Sequence, residues 1–239
     1  MSTFLPISLP SKCKPYDVKE GDITIRPYLA KDEIYLADIN PVNLESKYLQ
    51  VLKNVIKGID AKLLTLGDRL FIMIWEYINS YSHILSLDVT CSRCLNDVTI
   101  SVDLTQLEKV ELPDDFEQPY MVKLPDKSKE IPLRLLTIQD ELDIENYEKK
   151  NKDGHLYRYA KSIVSEIDIL GRVSDLEKLS VKDLATIRAF HEKFYHGPDM
   201  NTTFKCPKCG EEDELQVPFR FEFLYPHGKA LTDTFGKGI

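Results

Sequence analysis

Val89-Thr90-Cys91-Ser92-Arg93-Cys94-Leu95-Asn96 and Phe204-Lys205-Cys206-Pro207-Lys208-Cys209-Gly210-Glu211 are the two stretches on which the fold turns. Each is a C-x-x-C between β-like segments. Leu87 and Val89 precede the first pair; Val98, Ile100 and Val102 follow it in alternation with polar residues. Thr202, Thr203 and Phe204 precede the second pair, and Leu215 and Val217 alternate with Glu214 and Gln216 after it. Alternation with period two on both sides of a tight turn predicts a hairpin with the cysteines near its tip. Two such hairpins are the two halves of a zinc ribbon.

The spacing suits zinc. Zn²⁺ takes four ligands in a tetrahedron, with Zn–S bonds of about 2.3 Å. A C-x-x-C turn lets two thiolates converge on one ion, and Gly210 offers the positive φ such a turn demands. Lys205, Lys208 and Arg93 set positive charge beside a site whose net charge is negative. Cys91, Cys94, Cys206 and Cys209 are therefore the candidate ligands of one structural Zn²⁺; two disulfides or four unrelated thiols are the alternatives. Four cysteines leave no open position for water, which argues against catalytic zinc. Ordinary ribbons keep their knuckles about 15–20 residues apart. Here a domain-sized segment separates them, so the site reads as a clasp closing a long loop.

A chain of 239 residues, 43 % hydrophobic, holds one large or two small domains with a real core. A formal net charge of −8 argues against a general nucleic-acid binder. The best apolar run, Leu70 to Ile78, contains Glu76 and is too short to span a membrane. Met1 to Pro6 has no basic or apolar leader, so reduced thiols are expected, which favours metal over disulfide. Cys13 is the odd cysteine, with no assigned role.

In chain order, residues 1–30 read as an extended N-terminal arm, with a strand over Asp22–Tyr28. The arm either covers a neighbouring subunit or folds onto its own core. A first half-unit, 31–110, is helical and ends in the first knuckle. Asp32–Ile39 and Leu44–Ile59 are its early helices. Thr65-Leu66-Gly67-Asp68 is a capping sequence and opens a helix with Phe71, Ile74, Trp75 and Ile78 on its core face. The second half-unit, 111–226, pairs a strand at Tyr120–Leu124 with one at Glu130–Arg134, an edge strand because of Pro132. Helices follow, capped at Thr137 and Ser180, with another over 156–168. Ile169-Leu170-Gly171-Arg172-Val173 reads as a tight turn with strand character. The Ser180 helix buries Val181, Leu184, Ile187, Phe190 and Phe194 and stops at His196-Gly197-Pro198. After the second knuckle come an aromatic strand over Phe219–Tyr225 and a flexible tail, 227–239. A capped helix leading into a knuckle occurs twice, as though two related half-units share one metal. The expected fold is α+β: helical subdomains and small β-hairpins joined by a split four-cysteine, zinc-ribbon-like site.

No nucleotide-binding loop, nucleophile elbow or zinc-protease motif is present. His191 and His196, five apart near a helix end, read as dipole-stabilised histidines rather than ligands. No triad or open metal site emerges, and no catalytic residue is assigned.

The order of these features resembles the baseplate hub and hub-assembly proteins of T-even-type tailed phages. The resemblance is carried by Leu64 to Arg69, Trp75 to Ser80 and Cys91/Cys94, then by Ile131 to Arg134 with Thr137 to Asp140. Tyr159 to Ile167, Leu179 to Phe190, His196 to Pro198 and Cys206 to Gly210 complete it. It spans about residues 28–226. It implies a non-enzymatic role in building the tail baseplate hub, in the host cytoplasm or in the finished virion, with other tail and hub proteins as partners. Self-association is left open; nucleic acid and membrane are not expected partners. The competing reading is a zinc-ribbon module of a transcription or nucleic-acid complex, against which the acidic balance counts.

Overall fold

The structure, a computed structural model, describes residues 3–218 except 38, 41, 42, 128, 167 and 168, together with Leu224. The expected strand over 219–225 falls, Leu224 aside, outside these residues, as does the tail 227–239.

Helices α1 (Ala30–Leu36), α2 (Leu44–Val55) and α3 (Leu66–Ser80) fill the first part of the chain. Three two-residue strands, β1 (Leu5–Pro6), β2 (Thr24–Ile25) and β3 (Ile56–Lys57), form an antiparallel sheet in that order. Hairpin β4 (Ile84–Thr90)–β5 (Asp97–Asp103) follows α3, with Thr90 opposite Asp97 at its tip. After β6 (Lys109–Val110) comes hairpin β7 (Tyr120–Leu124)–β8 (Lys129–Leu133). Then come α4 (Ile138–Glu148), α5 (Gly154–Ser162), α6 (Ile169–Leu176) and α7 (Val181–Lys193). Strand β9 (Gly197–Pro198) pairs back with β6, and hairpin β10 (Asn201–Lys205)–β11 (Glu212–Gln216) carries the second cysteine pair. The fold is thus α+β with small, open antiparallel sheets.

Two hydrophobic clusters form the interior. One takes Leu9, Ile25, Leu52, Ile72 and Met73 from the first part of the chain, but also Cys206, Val217 and Leu224 from its end. The other, including Leu133, Ile187 and Phe190, is drawn from residues 112–194. Chain order and core membership therefore differ: the second knuckle packs with the first core.

The arm belongs to that core. Ile7 and Leu9 are buried, and Ile7 N–H donates to the Ile23 carbonyl at 3.1 Å. Among its described large apolar residues Leu5 and Leu29 remain exposed. Burying side chains of this size contributes roughly 1.5–3 kcal/mol each, enough to fix the arm on its own chain.

Three helices start with the same Ser/Thr-x-x-Asp sequence, and the aspartate is used differently each time. At α4 the box closes: Thr137 Oγ1 accepts from Asp140 N–H, and the Asp140 carboxylate accepts from Thr137 N–H at 2.9 Å. Arg134 adds a two-pronged pair to Asp140 at 2.6 and 2.8 Å. At α3, Thr65 N–H donates instead to the Tyr16 hydroxyl at 2.8 Å. The fully buried Asp68 carboxylate accepts from Ser11 N–H at 2.9 Å and from the Tyr16 hydroxyl. At α7, Asp183 accepts from the N–H of Asp126 at 2.9 Å. Two of the three aspartates thus pin distant loops to helix starts.

Three local readings need correction. Residues 169–173 begin α6 rather than a turn with strand character. Val173 and Leu176, three apart, are buried on one face, and the Arg172 guanidinium donates to the Ala160 carbonyl at 3.2 Å near the end of α5. Helix α5 stops at Ser162, because Arg134 N–H takes the Ser162 carbonyl at 2.8 Å and Val164 N–H takes that of Pro132 at 2.9 Å. Val181 is exposed rather than buried, since it opens α7 and faces away from Ile187 and Phe190.

The expected face of α3 does meet the core, with Ile74 buried and Phe71, Trp75 and Ile78 half-buried against the first cluster, but Ile72, Met73, Glu76 and Tyr77 are buried too. Glu76 is fully enclosed, and Ser80 Oγ lies 3.5 Å from its carboxylate. Burial pushes its carboxyl up to about 9, against the opposing pull of Arg26, whose guanidinium is committed to the buried Asp32 at 2.7 Å. Between the ordinary carboxylate range and about 9, the folded chain holds a proton that the unfolded chain has lost. Glu76 therefore makes stability fall as pH rises through this window, by up to about 1.4 kcal/mol per pH unit. Glu76→Gln should remove this slope, so that its melting temperature gains on the parent between pH 6 and pH 8.5. Parallel curves for the two proteins would contradict the buried neutral acid.

Candidate metal centre

The two knuckles have the same backbone construction. In the first, Leu95 N–H donates to the Cys91 carbonyl at 3.0 Å and Cys91 N–H to that of Asn96 at 3.1 Å. In the second, Gly210 N–H donates to the Cys206 carbonyl at 2.9 Å and Cys206 N–H to that of Glu211 at 2.8 Å. The residue after the second cysteine is left-handed in both, with φ of 54° at Leu95 and 75° at Gly210.

Facing hairpins bring the four sulfurs together. Cys91 Sγ lies 3.7 Å from Cys209 Sγ, Cys94 Sγ lies 3.8 Å from Cys206 Sγ, and all four lie within 4.8 Å of one another. A disulfide needs about 2.05 Å, and all five cysteines are free thiols. A tetrahedron with metal–sulfur bonds of about 2.3 Å has edges of about 3.8 Å. The cluster can therefore hold a metal ion. Cys91 and Cys206 are buried, Cys94 is half-buried and Cys209 faces outward. The site closes from the protein side and is accessible from one edge.

Its electrostatics point the same way. Hydrogen bonds from the Asn96 side chain and backbone bring the Cys94 thiol down to about 6. The Cys209 and Lys208 backbone N–H groups lower that of Cys206. Cys209 is pushed up to about 12: the Glu211 backbone N–H works to lower it, but burial and the neighbouring thiols outweigh that help. A divalent cation at the centre reverses this penalty, because it favours the thiolate form of every ligand.

Of the expected basic residues, Arg93 and Lys208 are linked across the knuckles. Arg93 pairs with Glu211, Lys208 Nζ donates to Asn96 Oδ1 at 3.1 Å, and Ser92 N–H donates to Asp213 Oδ2 at 2.9 Å. These bonds join the hairpins around the sulfurs.

His191 is not a helix-end cation. Burial and the Arg158 charge hold the His191 imidazole down at about 4, the opposite of dipole stabilisation. His196 is buried, with Nδ1 3.0 Å from the Phe194 carbonyl and Nε2 2.6 Å from Thr65 Oγ1. An Nδ1–H donor to the carbonyl leaves Nε2 to accept from the Thr65 hydroxyl. Beside it, the Gly67 backbone packs against residues 196 and 197: a Cβ on Gly67 would meet the His196 carbonyl oxygen at 1.9 Å. The pair Thr65↔Thr137 also bridges the starts of α3 and α4. The cysteine cluster is thus one of several places where distant parts of the chain are held together. The sequence pointed to the cysteines but carried no motif for the Gly67 contact.

Among the described residues no helix is long and apolar enough to cross a membrane. A family profile described as T4 bacteriophage base plate protein matches residues 7–222. Comparison with curated proteins and with solved structures returns no match.

Proposed function

The chain belongs to the T4 bacteriophage base plate protein family, and from that premise we propose that it is a baseplate hub component or hub-assembly factor. It is a structural phage protein, and the family implies other baseplate proteins as partners. The finer reading is a non-enzymatic role through protein contacts, in the host cytoplasm during assembly and in the virion baseplate. Zn²⁺ is the structural ion, held by Cys91, Cys94, Cys206 and Cys209. The half-units 31–110 and 111–226 are clasped by it, the second returning its knuckle to the first. The observation that carries the clasp is the pair of S···S separations, 3.7 and 3.8 Å, between cysteines 112 or more residues apart. Zinc is favoured over iron because a closed tetrahedral thiolate site needs no redox chemistry to perform a structural task.

The test is genetic and biochemical. Phage lacking this chain should fill heads but fail to complete tails, and a tagged copy should co-purify with hub or baseplate intermediates. Complete contractile tails formed without it would contradict the assignment.

A further inference from the structure

Leu95 breaks the symmetry between the two knuckles. It occupies the left-handed position that Gly210 fills in the other knuckle, with the same hydrogen bonds around it. A Cβ makes that conformation costly, and glycine is the residue that tolerates it. Leu95 also buries nothing in return: it is 76 % exposed. A strained backbone that displays a large apolar side chain at a hairpin tip lowers the stability of the isolated chain, so its use lies outside that chain.

The surroundings of Leu95 are acidic. Asp97, Glu211, Glu212 and Asp213 lie on the two knuckles, exceeding Arg93, Lys205 and Lys208 in number. Four thiolates around a divalent ion would add two negative charges. The complementary feature is on the same molecule. A cavity of about 480 Å³ between the start of α3 and the end of α7 has an apolar wall that includes Leu66, Leu70 and Phe194. Arg69, Arg158, Arg188 and Glu192 are its charged lining residues. Arg69 and Arg158 are paired with Glu45 and Glu141. Arg188 is exposed, enters none of the ion pairs among the described residues, and precedes Glu192 by four, the less favourable order for a helical pair.

We propose that the Leu95 knuckle of one copy docks into the arginine-lined cavity of a second copy. The contact is head-to-tail: the two surfaces differ, so each copy keeps one free cavity or one free knuckle after pairing, and association continues into a ring or an open chain. Leu95 is the apolar anchor, and Arg188 faces the knuckle acids. The acidic rim makes encounter dependent on salt.

Sedimentation velocity of the full chain, as purified and with its metal content measured, tests this. Association should rise with protein concentration and weaken with salt. Leu95→Gly and Arg188→Glu should each weaken it on the order of tenfold or more. The Leu95→Gly melting temperature should hold or rise by about 2–4 °C, because the strain is relieved. Mixing the two variants should restore a dimer that grows no further, since one retains the cavity and the other the knuckle. A chain that stays monomeric at every concentration, or a Leu95→Gly variant that associates like the parent, overturns the proposal. So does a mixture that fails to pair, including the case in which another protein covers Leu95. None of these outcomes alters the metal content or the requirement for tail completion, so the baseplate reading stands or falls separately.

Discussion

Cys206→Ser is expected to lower the stability of the chain by about 4–5 kcal/mol, the scale of a cross-link that closes a loop of about 100 residues. Cys94 and Cys206 are 112 positions apart, so an ion held by both would tie together, in the folded state, points separated by roughly half the chain. That loss is a large fraction of the 5–15 kcal/mol that holds a typical domain together. It corresponds to a fall in melting temperature on the order of 10–20 °C for a chain of this size. The knuckles contribute further, since Cys91 and Cys206 belong to the first hydrophobic cluster and would lose their packing. A strong chelator should reproduce the fall in the parent and have little effect on Cys206→Ser, because the site is already broken. Thermal unfolding of both proteins, with and without chelator, measures this. A parent that ignores the chelator would show that the cysteines do not clasp the fold.

Gly67→Ala should be almost as damaging, against the helical preference of its residue type. In an exposed helix interior, alanine gains about 1 kcal/mol over glycine. At Gly67 the new Cβ would sit 1.9 Å from the His196 carbonyl oxygen and 2.8 Å from both its carbon and the His196 ring. The carbonyl is backbone, fixed by the end of α7 and by Gly197, whose φ is +129°. Separating the two segments also stretches the Thr65–His196 hydrogen bond. Overpacking of this kind costs about 1–3 kcal/mol, and a broken buried hydrogen bond adds about 1 kcal/mol or more. The expected loss by denaturant titration is about 2–4 kcal/mol, less whatever part of the helical gain Gly67→Ala realises at this buried helix start. A variant as stable as the parent would mean that the α3 and α7 ends are not in contact.

The parts of this fold legible in the sequence are those whose signal is local. Alternation around each C-x-x-C defines the hairpins, and the Ser/Thr-x-x-Asp sequences locate the starts of α3, α4 and α7. What the sequence does not carry is where those aspartates send their carboxylates. Asp68 reaches Ser11, 57 positions away, and Asp183 reaches Asp126 at the same separation. The inward face of α3 is hidden for a related reason. Trp75 and Phe71 look like core by size, yet Glu76 and Tyr77 are the buried pair. Burial of a carboxylate depends on its neutralisation, which hydropathy does not encode. At 169–173, Gly171 suggests a turn, and the packing of Val173 and Leu176 outweighs a propensity cost of about 1 kcal/mol. Leu95 carries a signal that is available: comparison with Gly210 in the other knuckle marks it as the residue out of place.

The most direct measurement is elemental analysis of the purified full chain combined with X-ray absorption at the metal edge. The account predicts one zinc per chain with four sulfur neighbours at about 2.3 Å. A folded chain without metal, or a metal shell containing nitrogen or oxygen, would contradict it.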